Sequence, residues 1–113
     1  MANAIFRAAR WIAVAAALSG AGATASAQSA AAGRATAQTC AVCHGVLGLA
    51  TMPDTPNLAG QPAIYIGAQL RAYRDGARKH EVMTLMAKPL TDVDIQNLAA
   101  WFASIRIEAT PPP

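Results

Sequence analysis

The sequence predicts a small all-α domain, and three features support this prediction. The 113 residues are rich in alanine and hold few runs of β-branched residues, which favours helices over strands. Two stretches repeat apolar residues at the spacing of one helix face. A Cys-x-x-Cys-His run offers a covalent anchor of the kind that very small domains use to supplement their cores. The chain has no internal repeat, so we expect one domain.

An N-terminal targeting segment is predicted before the domain. The pattern has three parts in the usual order: a positive region (Arg7, Arg10), an apolar stretch (11–18) and a small-residue cleavage signal (Ala25-Ser26-Ala27). We therefore expect residues 1–27 to be a secretory signal peptide and residues 28–113 to be the mature domain. A retained membrane anchor is the alternative, although Gly20 and Gly22 interrupt the apolar run early.

The charge of the mature chain excludes some classes of partner. Seven basic residues then remain against six acidic ones, a formal charge of +1. Neither a nucleic acid nor an anionic membrane is an expected partner of so neutral a domain, and we expect no stable membrane insertion.

The most informative motif is Cys40-Ala41-Val42-Cys43-His44-Gly45. In an exported protein this pattern indicates a haem attached by two thioether bonds. Thiols three positions apart lie within about one helical turn, so both can reach the vinyl groups on one side of a porphyrin. His44 follows directly and can turn its imidazole toward the iron. We predict one haem c, bound through Cys40 and Cys43.

Three other interpretations of the motif are weaker. A disulfide between Cys40 and Cys43 would close a very short loop and would not explain the following histidine. A thioredoxin-like pair needs a βαβ context that the sequence lacks. A zinc site could use four donors (Cys40, Cys43, His44, His80), but adjacent ligands strain tetrahedral geometry.

Three helices are predicted. The first runs from about Gly33 into the motif, and the second spans roughly Pro62 to Asp75, with Gly76 as a stop. The third begins at Thr91, which forms a capping-box pattern with Asp94, and ends near Arg106. Its apolar stripe contains five residues (Ile95, Leu98, Ala99, Phe102, Ile105). The proline-rich tail, 110–113, is expected to be an extension without helix.

Loops are expected between these helices. The segment 45–61 could support the proximal side of the haem, and the segment 76–90 contains Met83 and Met86. Either methionine could place a thioether on the face opposite His44. The exposed face of the second helix carries Arg71 and Arg74, and Arg78 and Lys79 follow just beyond it. These basic residues are expected to form a solvated face, with docking or contact to the haem propionates as the alternative.

From Cys40 to Ser104 the chain resembles one domain of the cytochrome c4 type within the class I cytochromes c. Beyond the haem motif, the resemblance depends on Pro-Asn-Leu-Ala-Gly-Gln at 56–61, on the Met-x-x-Met pair, and on Leu-Thr-Asp-Val-Asp-Ile-Gln-Asn-Leu-Ala-Ala-Trp-Phe at 90–102. It implies the small class I cytochrome c fold, with three main helices and loops around one haem. A typical c4 protein has two such domains, whereas this chain has one.

The resemblance also implies roles for individual residues. His44 would be the proximal axial ligand, and the backbone carbonyl of Pro56 would accept the proton of its other ring nitrogen. Gly33 and Trp101 would lie where the first and last helices cross. The family register favours Met83, seven residues before Leu90, as the sixth ligand. Three alternatives remain open for that position (Met86, Met52, His80).

A His/Met pair closes the coordination sphere and suits outer-sphere electron transfer. We therefore expect a soluble periplasmic monohaem carrier of single electrons, not an enzyme, with periplasmic or membrane-bound redox proteins as partners. Apolar residues near the haem edge (Val42, Val46, Leu49) are candidates for brief docking contacts. The alternatives are a haem subunit of a larger dehydrogenase, or a sensor or enzyme that binds a small ligand at iron.

Overall fold

The computed structural model describes residues 29–113, which contain five helices and no strand. The helices are α1 (Ala30–Thr36), α2 (Ala41–His44), α3 (Ala63–Arg74), α4 (Glu81–Ala87) and α5 (Asp92–Ser104). The predicted all-α class is confirmed. The predicted signal peptide, residues 1–27, lies outside the described residues. Within 29–113, no helix is long and apolar enough to cross a membrane.

Helix α1 crosses α5 at a position that requires glycine. A Cβ atom on Gly33 would lie 1.9 Å from the carbonyl oxygen of Asn97 and 2.8 Å from Cβ of Trp101. The start of α1 is tied to the same region of α5, because the backbone N–H of Ser29 donates to Oδ1 of Asn97 at 2.8 Å. The two helix backbones can therefore approach this closely only if residue 33 has no side chain.

We expect Gly33→Ala to lower the free energy of unfolding of the haem-loaded protein by about 3 kcal/mol, because the methyl group forces α1 and α5 apart. Gly67→Ala is the matched control in α3. There the new Cβ would meet the flexible guanidinium of Arg71 at 3.3 Å and Cγ2 of Ile95 at an ordinary contact distance of 4.0 Å, so the variant should be neutral or slightly more stable. Chemical denaturation measures both changes, and equal stabilities for the two variants would contradict the close crossing.

Helix α5 also packs against α3. A capping box and an ion pair from the end of α3 fix the start of α5. The capping box is present: the Thr91 hydroxyl accepts from the Asp94 N–H at 3.1 Å, and the Asp94 carboxylate accepts from the Thr91 N–H at 2.9 Å. The Thr91 hydroxyl also donates to the Asp94 carboxylate at 2.6 Å, and this bond, together with the one from the Thr91 N–H, holds the pKa of Asp94 below its ordinary value. Arg74, at the end of α3, pairs with Asp92 at 2.9 Å and with Asp75 at 3.1 Å, and this raises its pKa. Part of the predicted basic face is therefore used within the fold.

Two elements differ from the sequence prediction. The first predicted helix is interrupted by a turn at 37–40, which separates α1 from the motif helix α2. The segment 76–90, expected to be a loop, contains α4. This helix has only two turns, and its N-cap is His80 instead of the serine, threonine, aspartate or asparagine that usually begins a helix.

The protein core is small. Among residues 29–113, nine apolar residues are buried, and four of them are alanines (Ala37, Ala59, Ala87, Ala99). Ile95 and Leu98 are the largest fully buried side chains within 29–113. Domains of this size are marginal when their cores are supplied by side chains alone. An additional apolar group is therefore expected to contribute to stability.

Candidate functional site

The Cys-x-x-Cys-His motif forms the single turn of α2. Cys40 is its N-cap, with helical backbone angles, and the N–H of His44 donates to the Cys40 carbonyl at 2.9 Å. Gly45 ends the turn with φ +80°, and a Cβ there would lie 2.2 Å from the carbonyl oxygen of Leu49. Any side chain at residue 45 would strain this turn. The local fold therefore holds two thiols and one imidazole on one helical turn.

His44 is buried, with 7% of its surface exposed, and its Nδ1 lies 2.8 Å from the carbonyl oxygen of Pro56. This is the pair that the family resemblance implied. Because a carbonyl oxygen can only accept, Nδ1 carries the proton in this hydrogen bond. The lone pair then lies on Nε2, which is the nitrogen available to a metal.

The loop that carries Pro56 is held by backbone hydrogen bonds. The carbonyl of Gly48 accepts from the N–H groups of Leu58 at 2.7 Å and Ala59 at 3.1 Å. The side-chain oxygen of Asn57 accepts from the N–H of Ala50 at 2.8 Å. These bonds join the start of the loop, at Gly48 and Ala50, to the residues directly after Pro56, so the Pro56 carbonyl has a fixed position for His44.

The two thiols lie in different environments, and both are free. Cys40 is half-buried and packs against the core cluster formed by three residues (Ala37, Leu98, Phe102), and this burial raises the pKa of its thiol. Cys43 is exposed. In the part of the chain that the structure describes, no three histidine, cysteine or acidic side chains form a cluster that could hold a metal. The four-donor zinc site is therefore not assembled.

Helix α4 carries both candidate methionines. Met83 is half-buried and Met86 is exposed, and residues three positions apart lie on the same side of a helix. The geometry of α4 alone therefore does not choose between them. His80 is exposed, and its Nδ1 accepts from the N–H groups of Val82 at 3.3 Å and Met83 at 3.2 Å.

The residues present are compatible with a bound haem. Two free thiols, a buried imidazole with Nε2 available and thioethers on α4 form the donor set of a c-type site. Exposed apolar side chains occur on the two segments that would supply the axial ligands: four follow His44 (Val46, Leu47, Leu49, Met52), and three lie on α4 (Val82, Leu85, Met86). An apolar macrocycle would give such side chains the partner that the small core does not.

Sequence reasoning missed two residues that support the site. Asn57 closes the Pro56 loop, and its place in the Pro-Asn-Leu-Ala-Gly-Gln segment was the available signal. The sequence indicated His80 only as a possible zinc or iron ligand or as a solvated side chain. Its position just before a run of good helix formers could have indicated a cap, although histidine is a rare N-cap residue.

The comparisons with known proteins show the family to which the chain is similar. The family model described as "Cytochrome c" matches residues 30–106. "Cytochrome c-554(548)" of Halomonas halodenitrificans is 46% identical over 78 residues, which cover 66% of this chain and 94% of that protein. "Thiosulfate dehydrogenase electron acceptor" of Stutzerimonas stutzeri is 42% identical over 69 residues, which cover 58% of this chain and 32% of that protein.

A solved structure has the same fold. The crystal structure of reduced recombinant cytochrome c4 from Pseudomonas stutzeri aligns with a TM-score of 0.67 and 37% identity, covering 71% of this chain and 47% of that one. The chain thus spans nearly the full length of one relative and a third to a half of the other two proteins. The predicted resemblance to one domain of the cytochrome c4 type is confirmed.

Proposed function

We propose that this chain, which belongs to the cytochrome c family, is a periplasmic carrier that passes single electrons between redox proteins. The observation that carries the proposal is the buried His44, with its Nδ1 at 2.8 Å from the Pro56 carbonyl, on the same turn as two free thiols. Its one haem c is attached through Cys40 and Cys43. When bound, this haem supplies an iron that changes oxidation state without breaking bonds in a partner.

The residues of the chain have separate tasks in this function. Cys40 and Cys43 hold the group covalently, and His44 would ligate iron through Nε2. The Pro56 carbonyl keeps the proton on Nδ1 and fixes the imidazole ring, so little rearrangement accompanies a change of charge. We assign the sixth ligand to Met83, on the family register and on its half-buried place in α4. A closed His/Met sphere favours electron transfer over ligand chemistry.

Partners and location are part of the proposal. The N-terminal pattern of Arg7, Arg10 and an apolar stretch supports export to the periplasm. A relative is named as the electron acceptor of thiosulfate dehydrogenase, and this supports a donor of the dehydrogenase class. Three apolar side chains near the motif are exposed (Val42, Val46, Leu49). Val42 is 84% exposed and lies outside the set expected to pack on the haem, so it is the one proposed for the small contact that brief redox complexes use.

A ligand-binding experiment separates a carrier from a sensor or enzyme. With His44 and Met83 both on iron, the reduced protein should bind carbon monoxide poorly at neutral pH and still reduce a soluble oxidant rapidly. Absorbance spectra before and after carbon monoxide is added, together with stopped-flow oxidation, measure both properties. Rapid stoichiometric binding of carbon monoxide would overturn the carrier proposal in favour of a small-ligand site.

A further inference from the structure

We propose that His80 is a positioning residue, which holds Met83 in place for iron ligation by capping helix α4. The inference rests on the proposed assignment of Met83 as the sixth ligand. In this role His80 positions the iron ligand. It neither coordinates iron itself nor serves only as a solvated side chain.

The contacts of His80 form a reciprocal cap. Its Nδ1 accepts from the N–H groups of Val82 and Met83, at 3.3 and 3.2 Å. In return, the N–H of His80 donates to the hydroxyl of Thr84 at 3.1 Å. The backbone of His80 is extended, with φ −156° and ψ 135°, as expected of an N-cap residue. The imidazole therefore satisfies two N–H groups in the first turn of α4, and one of them belongs to Met83.

The His80 ring is itself attached to a more rigid part of the fold. It makes an edge contact with the ring of Tyr73, which is buried in α3, with ring centroids 6.4 Å apart. The guanidinium of Arg78 also lies over the Tyr73 ring, 4.6 Å from the ring centroid. The N–H of Arg78 donates to the carbonyl of Ala72 at 2.9 Å, and its side chain donates to Gln69. The turn before α4 is thus anchored on α3, and His80 extends this anchor to Met83.

Helix α4 depends on this anchor because it has little other support. It has only seven residues, and α3 is the one described helix against which it packs. Helices this short are unstable without caps or tertiary contacts. Met83 lies in the first turn, which would open first after loss of the cap. The cap should therefore set how often the Met83 thioether leaves the iron.

Replacement of the Met83 thioether by an added ligand tests this role. The probe is cyanide, mixed with the oxidised, haem-loaded protein, and the near-infrared charge-transfer band of a sulfur-to-iron bond is recorded in parallel. The variants are His80→Ala, which removes the cap, and His80→Asn, which keeps a good capping side chain. Thr91→Ala is the matched control, because it removes a cap of similar strength from α5 and leaves α4 untouched.

We expect His80→Ala to bind cyanide about fivefold faster than wild type. Deleting an N-cap typically shifts the opening equilibrium of a helix by about this factor, and cyanide binds when the first turn of α4 is open. His80→Asn and Thr91→Ala should stay within about twofold of wild type, although Thr91→Ala lowers global stability. An unchanged rate in His80→Ala would overturn the proposal. So would equal acceleration in Thr91→Ala, or failure of His80→Asn to restore the rate.

If the assignment of Met83 as the sixth ligand is wrong, the experiments give a different result. If Met83→Ala keeps the charge-transfer band of the wild type, Met83 is not the ligand, and both the assignment and the role of His80 are wrong. If the band disappears in Met83→Ala but His80→Ala exchanges ligand like wild type, the assignment stands and only the role of His80 is wrong.

Discussion

Replacement of both Cys40 and Cys43 by alanine is expected to give a polypeptide that holds no haem on a denaturing gel and does not fold stably. The physical reason is the small core, because four of the nine buried apolar residues in the described part of the chain are alanines. Without the group that the cysteines attach, the exposed apolar side chains after His44 and on α4 lack a partner. Haem staining and far-ultraviolet circular dichroism measure the two losses.

The single variants Cys40→Ala and Cys43→Ala distinguish the role of each cysteine in attaching haem from its role in packing the core. Each should retain some haem through the remaining thioether bond. Cys40 packs against the core cluster while Cys43 is exposed, so Cys40→Ala should be less stable than Cys43→Ala. Haem that survives denaturation in the double variant would contradict attachment through these thiols.

Replacement of Met83 by alanine is expected to abolish the near-infrared charge-transfer band and to lower the reduction potential. A thioether favours ferrous iron, so its loss should shift the potential downward on the order of 0.1 V, within the span of about 0.8 V that axial ligands cover. The reduced variant should also bind carbon monoxide readily, since a coordination position opens. Spectroelectrochemistry and a carbon monoxide titration measure these changes.

Met86→Ala is the matched control, because Met86 lies three residues further along the same helix and is more exposed. It should keep the band and most of the potential. Loss of the band in Met86→Ala alone would transfer the ligand to Met86. A band that survives both substitutions would contradict either methionine as the sulfur ligand.

The sequence predicted best those features whose physical cause lies within a few neighbouring residues. The start of α5 is specified by Thr91 and Asp94, three residues apart, and the structure forms that capping box. The end of α3 is also specified locally, because Gly76, which follows the C-cap Asp75, has φ +81°. The Cys-x-x-Cys-His motif needed no tertiary information either. In each case a few neighbouring residues contain the physical cause.

Helix α4 and the support of His44 have causes that lie farther apart in the sequence. The cap of α4 is a histidine that contacts Tyr73, so no usual capping residue marks the start of the helix, although good helix formers follow it. Pro56 reaches His44 across twelve residues, through a loop closed at Gly48. The family resemblance implied that pair, whereas composition and spacing alone did not.

The intact mass of the denatured wild-type protein, produced with a working c-type maturation system, tests the central claim most directly. The account predicts the mass of the polypeptide plus one haem, because both bonds to the group are covalent thioethers. The bare mass of the polypeptide, with any haem released on denaturation, would contradict it.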